Sequence, residues 1–288
     1  MQASERTSSL LAIVVAAIGI LSLAACSRSI PGTADQDRAE HEKAAEPQEV
    51  HWGYEGAEGP AHWADLSDEF ALCRQGSEQS PIDLTDPVIS DELTWTERIG
   101  ENVLTDGQRA TVMDLIDNGH TIQITNDVPL VANVDGTEYE LVQYHFHAPS
   151  EHTIDGRHSP LEVHLVHKSS NGDLAVVGAL FEEGEHDPLW DAILSALPEG
   201  PGDDRHLENL NLDSTDLRPP PTTYYRYMGS LTTPPCSENV RWIVSAEIRE
   251  ISPEQMATIV SHLHENNRPV QPLNDRKLYL VSDEASED

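Results

Sequence analysis

The chain has 288 residues and a formal net charge of −34, from 51 acidic and 17 basic side chains. Its only lysines are Lys43, Lys168 and Lys277, which excludes a nucleic-acid surface, since phosphate binding needs clustered Lys and Arg. Hydrophobic residues make up 38% of the chain, enough to pack the core of one large domain. The acid excess reads as a solvated surface or as an adaptation to concentrated salt, where screening removes the repulsion among carboxylates.

Leu10 to Ala25 is an apolar run of signal-peptide length, shorter than the roughly 20 residues of a membrane span. It ends Leu23-Ala24-Ala25-Cys26, which resembles a bacterial lipoprotein cleavage box with Cys26 as the lipid-bearing residue. Residues 1–25 are therefore read as a signal peptide. Residues 26–50 are polar and without apolar periodicity, and read as a flexible tether. Together they predict an exported protein of the periplasm or cell envelope, anchored to a bacterial membrane by lipid. Plain secretion and a transmembrane anchor are the alternatives.

A single domain is expected over residues 51–281. It opens with aromatics among glycines, His51-Trp52-Gly53-Tyr54 and Gly59-Pro60-Ala61-His62-Trp63, an irregular segment pinned by large rings. Glu69 to Leu84 reads as loop and short extended pieces. Strand signals follow: Thr121 to Ile124 alternates, Leu130 to Val134 runs into the turn dipeptide Asp135-Gly136, and Glu140 to His147 comes next. Leu161 to His167 and Leu174 to Leu180 flank a second turn at Asn171-Gly172. Asp187-Pro188 and Ser252-Pro253-Glu254-Gln255 are helix starts, each ahead of apolar residues at helical spacing. Residues 282–288 form an acidic tail. The fold expected is mainly β (α+β): a large twisted, mostly antiparallel sheet with a few peripheral helices.

With Cys26 assigned to the lipid, Cys73 and Cys236 remain as an even pair in an exported chain. A disulfide is the default, and two buried free thiols are the alternative.

The fourteen histidines sort by strand phase. His145 and His147 lie two apart in one predicted strand and so share a face, while His164 sits in another. Three neutral imidazoles that leave a fourth position open are the ligand set of a catalytic zinc ion. Gln143 shares the face of His145, and Glu162 that of His164, so each is placed to bond a ring's outer nitrogen. His167 is out of phase with His164 and reads as a hydrogen-bonded core histidine. His41, His158, His186, His206, His262 and His264 read as solvated.

The motifs His51-Trp52-Gly53-Tyr54, Gln79-Ser80-Pro81-Ile82, Asn118-Gly119-His120, Gln143 to His147, and Ser150-Glu151-His152 occur in that order. They are followed by Leu161 to His167, Gly229 to Pro235 and Arg268 to Asn274. In these pieces the chain resembles the α-class carbonic anhydrases, in the manner of an exported bacterial member. The resemblance implies one zinc ion per chain on His145, His147 and His164, and reversible hydration of CO2 to bicarbonate and a proton by zinc hydroxide. It implies that Thr232, backed by Glu151, orients that hydroxide, and that His120 shuttles the proton. It further implies that Val166, Val176, Leu231, Val240 and Trp242 line the CO2 pocket, with Thr233 beside the metal. A homodimer is compatible with the family, although no interface signature is visible in the sequence. Asp117 stands where many members have asparagine, and Lys168 where animal members often carry tryptophan.

Overall fold

The computed structural model describes residues 50–89, 110–126, 131–212 and 223–282. The proposed signal, Cys26 and nearly all of the tether, together with Leu130 and residues 283–288, lie outside them. All the described residues fall in one compact unit, Glu49–Asp288.

The described strands are β1 (Val88–Ile89), β2 (Ala110–Asp117), β3 (Ile122–Asn126), β4 (Val131–Val134), β5 (Thr137–His147), β6 (Thr153–Ile154) and β7 (Arg157–His158). They continue with β8 (Leu161–Ser169), β9 (Leu174–Glu183), β10 (Asp204–Leu212), β11 (Thr223–Ser230), β12 (Glu238–Ser245), β13 (Arg249–Ile251) and β14 (Tyr279–Ser282). Twelve of them form one sheet in the order β1-β14-β11-β12-β9-β8-β5-β3-β2-β10, with β13 added beside β9 and β4 beside β5. Most pairings are antiparallel, but β12 and β13 run parallel to β9, and β1 runs parallel to β14. The sheet is thus mixed, mostly antiparallel and the dominant element, as expected. Ser282, expected to begin the acidic tail, is instead paired with Thr223 at the end of β14.

Both turn dipeptides connect hairpins. Asp135 (φ 53°) and Gly136 (φ 76°) sit in the left-handed region between β4 and β5, as the twist-matching two-residue turn requires. Gly172 (φ 93°) lies in the connection from β8 to β9.

The helices α1 (Trp63–Leu66), α2 (Leu72–Gln75), α3 (Pro188–Leu194) and α4 (Pro253–Leu263) are peripheral. The side chain of Asp187 accepts from the Leu189 N–H, which starts α3. The reciprocal Ser252–Gln255 capping box starts α4. Helix α3 ends at Leu194, and Leu197 packs against the core from beyond its end. The segment read as loop around Glu69 to Cys73 instead winds into a 3-10 turn at Asp68–Phe70 and then α2. These turns are too short for helical periodicity to show in sequence.

The two faces of the sheet have separate work. Alternation in β5, β8 and β9 sends Tyr144, Phe146, Val163, Leu165, Val177 and Phe181 to one face, where they form the main core with Trp190 of α3 and Ile259 of α4. The other face carries the candidate site. There the register sets residues of adjacent strands directly opposite one another in ranks. One rank runs Gln143, Val166, Val176, Trp242. The next runs His145, His164, Gly178, Val244. The third holds His147, Glu162 and Leu180. A Cβ on Gly178 would lie 3.1 Å from Glu162 Oε1 and 3.3 Å from Val244, so glycine leaves room for the carboxylate behind His164.

Candidate metal centre

The three histidines meet because of this register. His145 and His164 are direct partners across β5 and β8, and His147 follows on the same face. One nitrogen of each ring lies within 4.8 Å of the others, with His147 and His164 buried and His145 partly exposed.

The remaining ring nitrogens are bonded to the protein, which fixes what each ring presents. His145 Nδ1 pairs with Gln143 Oε1 at 2.9 Å, and His147 Nδ1 with the Asn266 carbonyl at 2.8 Å. His164 Nε2 pairs with Glu162 Oε1 at 2.9 Å. The free donors are therefore Nε2 of His145 and His147 and Nδ1 of His164. Burial keeps all three rings in the neutral, ligating form. It lowers His145 well below the usual imidazole range, helped by the two neighbouring rings. It takes His147 to about 4 against the opposing pull of the Asn266 carbonyl, and lowers His164 despite Glu162.

Glu162 is a hub. Its Oε2 accepts the N–H groups of Glu151 (2.8 Å) and His152 (2.9 Å), and its Oε1 also meets His152 Nδ1 at 2.7 Å. Burial pushes its pKa up, but His152 and His164 outweigh this and hold the carboxyl well below the ordinary range. His152 Nε2 in turn meets the Tyr227 hydroxyl at 2.7 Å. The sequence shows His152 only as part of a motif, with its place directly after Glu151 as the one available signal; in the structure it is fully buried.

Glu151 faces the same space from the other side. Its Oε1 accepts the Arg268 N–H at 2.8 Å. Its Oε2 lies 3.6 Å from His147 Nε2 and 3.8 Å from His164 Nδ1. Burial raises its carboxyl to about 7, against the lowering effects of His164, the Arg268 N–H and the Thr232 hydroxyl. Among the described residues, His147 Nε2 and Glu151 Oε2 are buried without a full hydrogen-bond partner. Buried orphans are rare and call for an explanation. A cation held by the three free nitrogens accounts for the first, and the three-imidazole donor set suits zinc with an open fourth position.

Around this centre, Val176, Val240 and Trp242 belong to one apolar cluster, with Val166 and Leu231 packed on it. The Trp242 ring stands 4.8 Å from that of His164. Thr232 is buried, and the Thr233 carbonyl accepts the Cys236 N–H at 2.8 Å, tightening the turn that holds both threonines. Cys73 and Cys236 form a disulfide across 163 residues. A loop of that size gives an upper figure of about 5 kcal/mol in the chain-entropy treatment.

His120 stands apart from the three histidines. Its ring lies flat on Trp52, with centroids 3.7 Å apart and planes 3° from parallel. The Asn118 side chain shapes its turn by accepting the N–H groups of His120 and Thr121. His167 is buried on the core side, its Nδ1 2.9 Å from the Leu165 carbonyl. Asn266 and Arg268 were missed as supports. Arg268 is almost wholly buried, donates to the Ser80 and Cys73 carbonyls, and stacks over Trp63.

The sequence model of the eukaryotic-type carbonic anhydrases matches residues 58–282. A carbonic anhydrase of Nostoc sp. is 41% identical over 232 residues, which cover 81% of this chain and 86% of that protein. A carbonic anhydrase of Pectobacterium carotovorum is 40% identical over 232 residues, 79% of this chain and 89% of its own. The solved α-carbonic anhydrase of Thermovibrio ammonificans, in complex with the inhibitor sulfanilamide, is 43% identical with a TM-score of 0.73. That match covers 80% of this chain and 99% of the solved one.

Proposed function

Because the chain belongs to the α-type carbonic anhydrases, enzymes of reversible CO2 hydration, we propose that it performs this reaction with one zinc ion on His145, His147 and His164. The supporting observation is the convergence of three neutral imidazole nitrogens, each ring held through its other nitrogen. Zinc bound there would acidify a coordinated water to a pKa near 7, which yields the nucleophile at neutral pH.

The residues of the chain do the rest. Gln143, Glu162 and the Asn266 carbonyl aim the rings. Thr232 donates its hydroxyl proton to Glu151 and so presents its oxygen as an acceptor to the reacting water, fixing the direction of attack. Val166, Val176, Leu231, Val240 and Trp242 offer an apolar wall that suits CO2 and holds bicarbonate poorly. Thr233 borders the same space. His120 takes the released proton outward through its ring, which can accept a proton on one nitrogen and give one up.

For location, the proposal is a signal peptide at residues 1–25, lipid on Cys26 and a tether to residue 50, placing the enzyme at the cell envelope. No helix among the described residues is long and apolar enough to cross a membrane. Cys26→Ser should move the protein to the soluble fraction, and continued membrane fractionation would argue against the anchor. The activity is tested by stopped-flow CO2 hydration with and without an aromatic sulfonamide. Inhibitable hydration is expected, and zinc-loaded protein without hydration would reject the reading.

A further inference from the structure

His120 lines a cavity of about 390 Å³ together with His51, His262 and His264. We propose that His264, assisted by His262, is the next proton acceptor after His120. This pair would pass protons from the mouth of the site to solvent. The inference rests on the hydration reading above.

Two independent observations carry it. The first is the shared cavity. His120, its ring flat against Trp52, borders the same cavity as the two histidines at the carboxyl end of α4. The second is backbone conformation. His264 ends α4 at φ 51°, ψ 177°, a region that glycine occupies far more cheaply than any residue with a side chain. Its ring is exposed and, among the described residues, makes no hydrogen bond or ion pair that would repay that strain. Histidine at this position is therefore explained by neither packing nor capping. An imidazole open to the cavity is what the strained backbone retains.

The surroundings suit protons in transit. Glu55, Glu58, Asp117 and Glu265 line the same cavity, so it offers further oxygen acceptors beside the imidazoles. His51 Nδ1 lies 3.3 Å from Glu58 Oε2. His262 Nδ1 faces the Thr258 carbonyl at 2.8 Å, which leaves Nε2 for exchange. In the step itself His120 imidazolium loses one proton and becomes neutral, and His264 gains it and releases it to buffer. No electrons move.

His264→Gly is the informative variant, because glycine accepts the backbone angles and the fold should survive with its melting temperature unchanged or raised. CO2 hydration by the zinc-loaded full chain would be followed in dilute and in concentrated buffer. In dilute buffer, kcat should fall about tenfold, less than the roughly 10²-fold typical of a group that takes the proton directly. The loss should spare kcat/KM and be restored by added imidazole, and His262→Gln in the same chain should deepen it. Unchanged kcat in dilute buffer for both the single and the double variant would overturn the relay, as would a loss that imidazole does not restore. Absence of hydration in the parent protein would overturn the enzyme reading, and the relay with it.

Discussion

Glu162 and His164 lie two residues apart on one strand and are joined at 2.9 Å, carboxylate Oε1 to ring Nε2. That bond turns His164 Nδ1, rather than Nε2, toward the space that His145 and His147 face with Nε2. The same carboxylate collects two backbone N–H groups and His152, so it is rigidly placed before any ligand arrives.

Glu162→Gln should therefore weaken zinc binding by about 10- to 100-fold. Competition with a chromophoric chelator measures it. Unchanged affinity would mean that the orientation of His164 is set elsewhere.

The threonine–glutamate pair makes a different prediction. In the proposed reaction Thr232 acts on the reacting water and not on the ion. Thr232→Ala should thus lower kcat/KM by about 10²-fold with one zinc still bound per chain. Loss of zinc together with activity would place Thr232 among the groups that hold the ion.

Acid should remove the metal late. Burial lowers the pKa of all three rings, taking His147 to about 4. Proton and zinc compete for the same nitrogen, so a lowered pKa moves the competition to lower pH. Zinc should remain bound after dialysis at pH 6, where an ordinary imidazole of pKa about 6.5 is mostly protonated. Metal analysis across a pH series checks this; a release midpoint at or above 6.5 would contradict it.

Arg268 ties the disulfide region to the site. Its guanidinium bonds the Ser80 and Cys73 carbonyls, and its N–H bonds Glu151. Burial lowers its pKa to about 10, leaving it charged at neutral pH. Arg268→Ala should destabilise the fold by about 3 kcal/mol, since buried partners lose their donor. Urea unfolding would show it, and a change under about 1 kcal/mol would mean that the vacated groups find other partners.

Much of this site could be read from spacing alone. Residues two apart on a strand share a face, so Gln143 beside His145 and Glu162 beside His164 are visible in the sequence itself. The hairpins at Asp135-Gly136 and Asn171-Gly172 and the starts of α3 and α4 were legible for the same reason: their chemistry is local. What stayed hidden was long-range. The Asn266 carbonyl reaches His147 across 119 residues, and backbone carbonyls carry no sequence signature. The strands β11 and β12 mix charged and aromatic residues, and β10 mixes charged residues with leucines at uneven spacing, so the alternation that betrays a half-buried strand is blurred there. Their order, with β12 parallel to β9, is set by pairings between segments far apart in the chain, which no local stretch encodes. The positive φ of His264 was equally invisible, because the sequence offers a histidine where a glycine would have announced the turn.

The central claim is that this three-histidine centre hydrates CO2 only when zinc fills it. Titration of zinc into chelator-stripped protein, with hydration followed at each addition, tests that claim most directly. Activity should rise in proportion to zinc and stop at one equivalent per chain. Full zinc binding without hydration, or hydration that survives complete stripping, would contradict it.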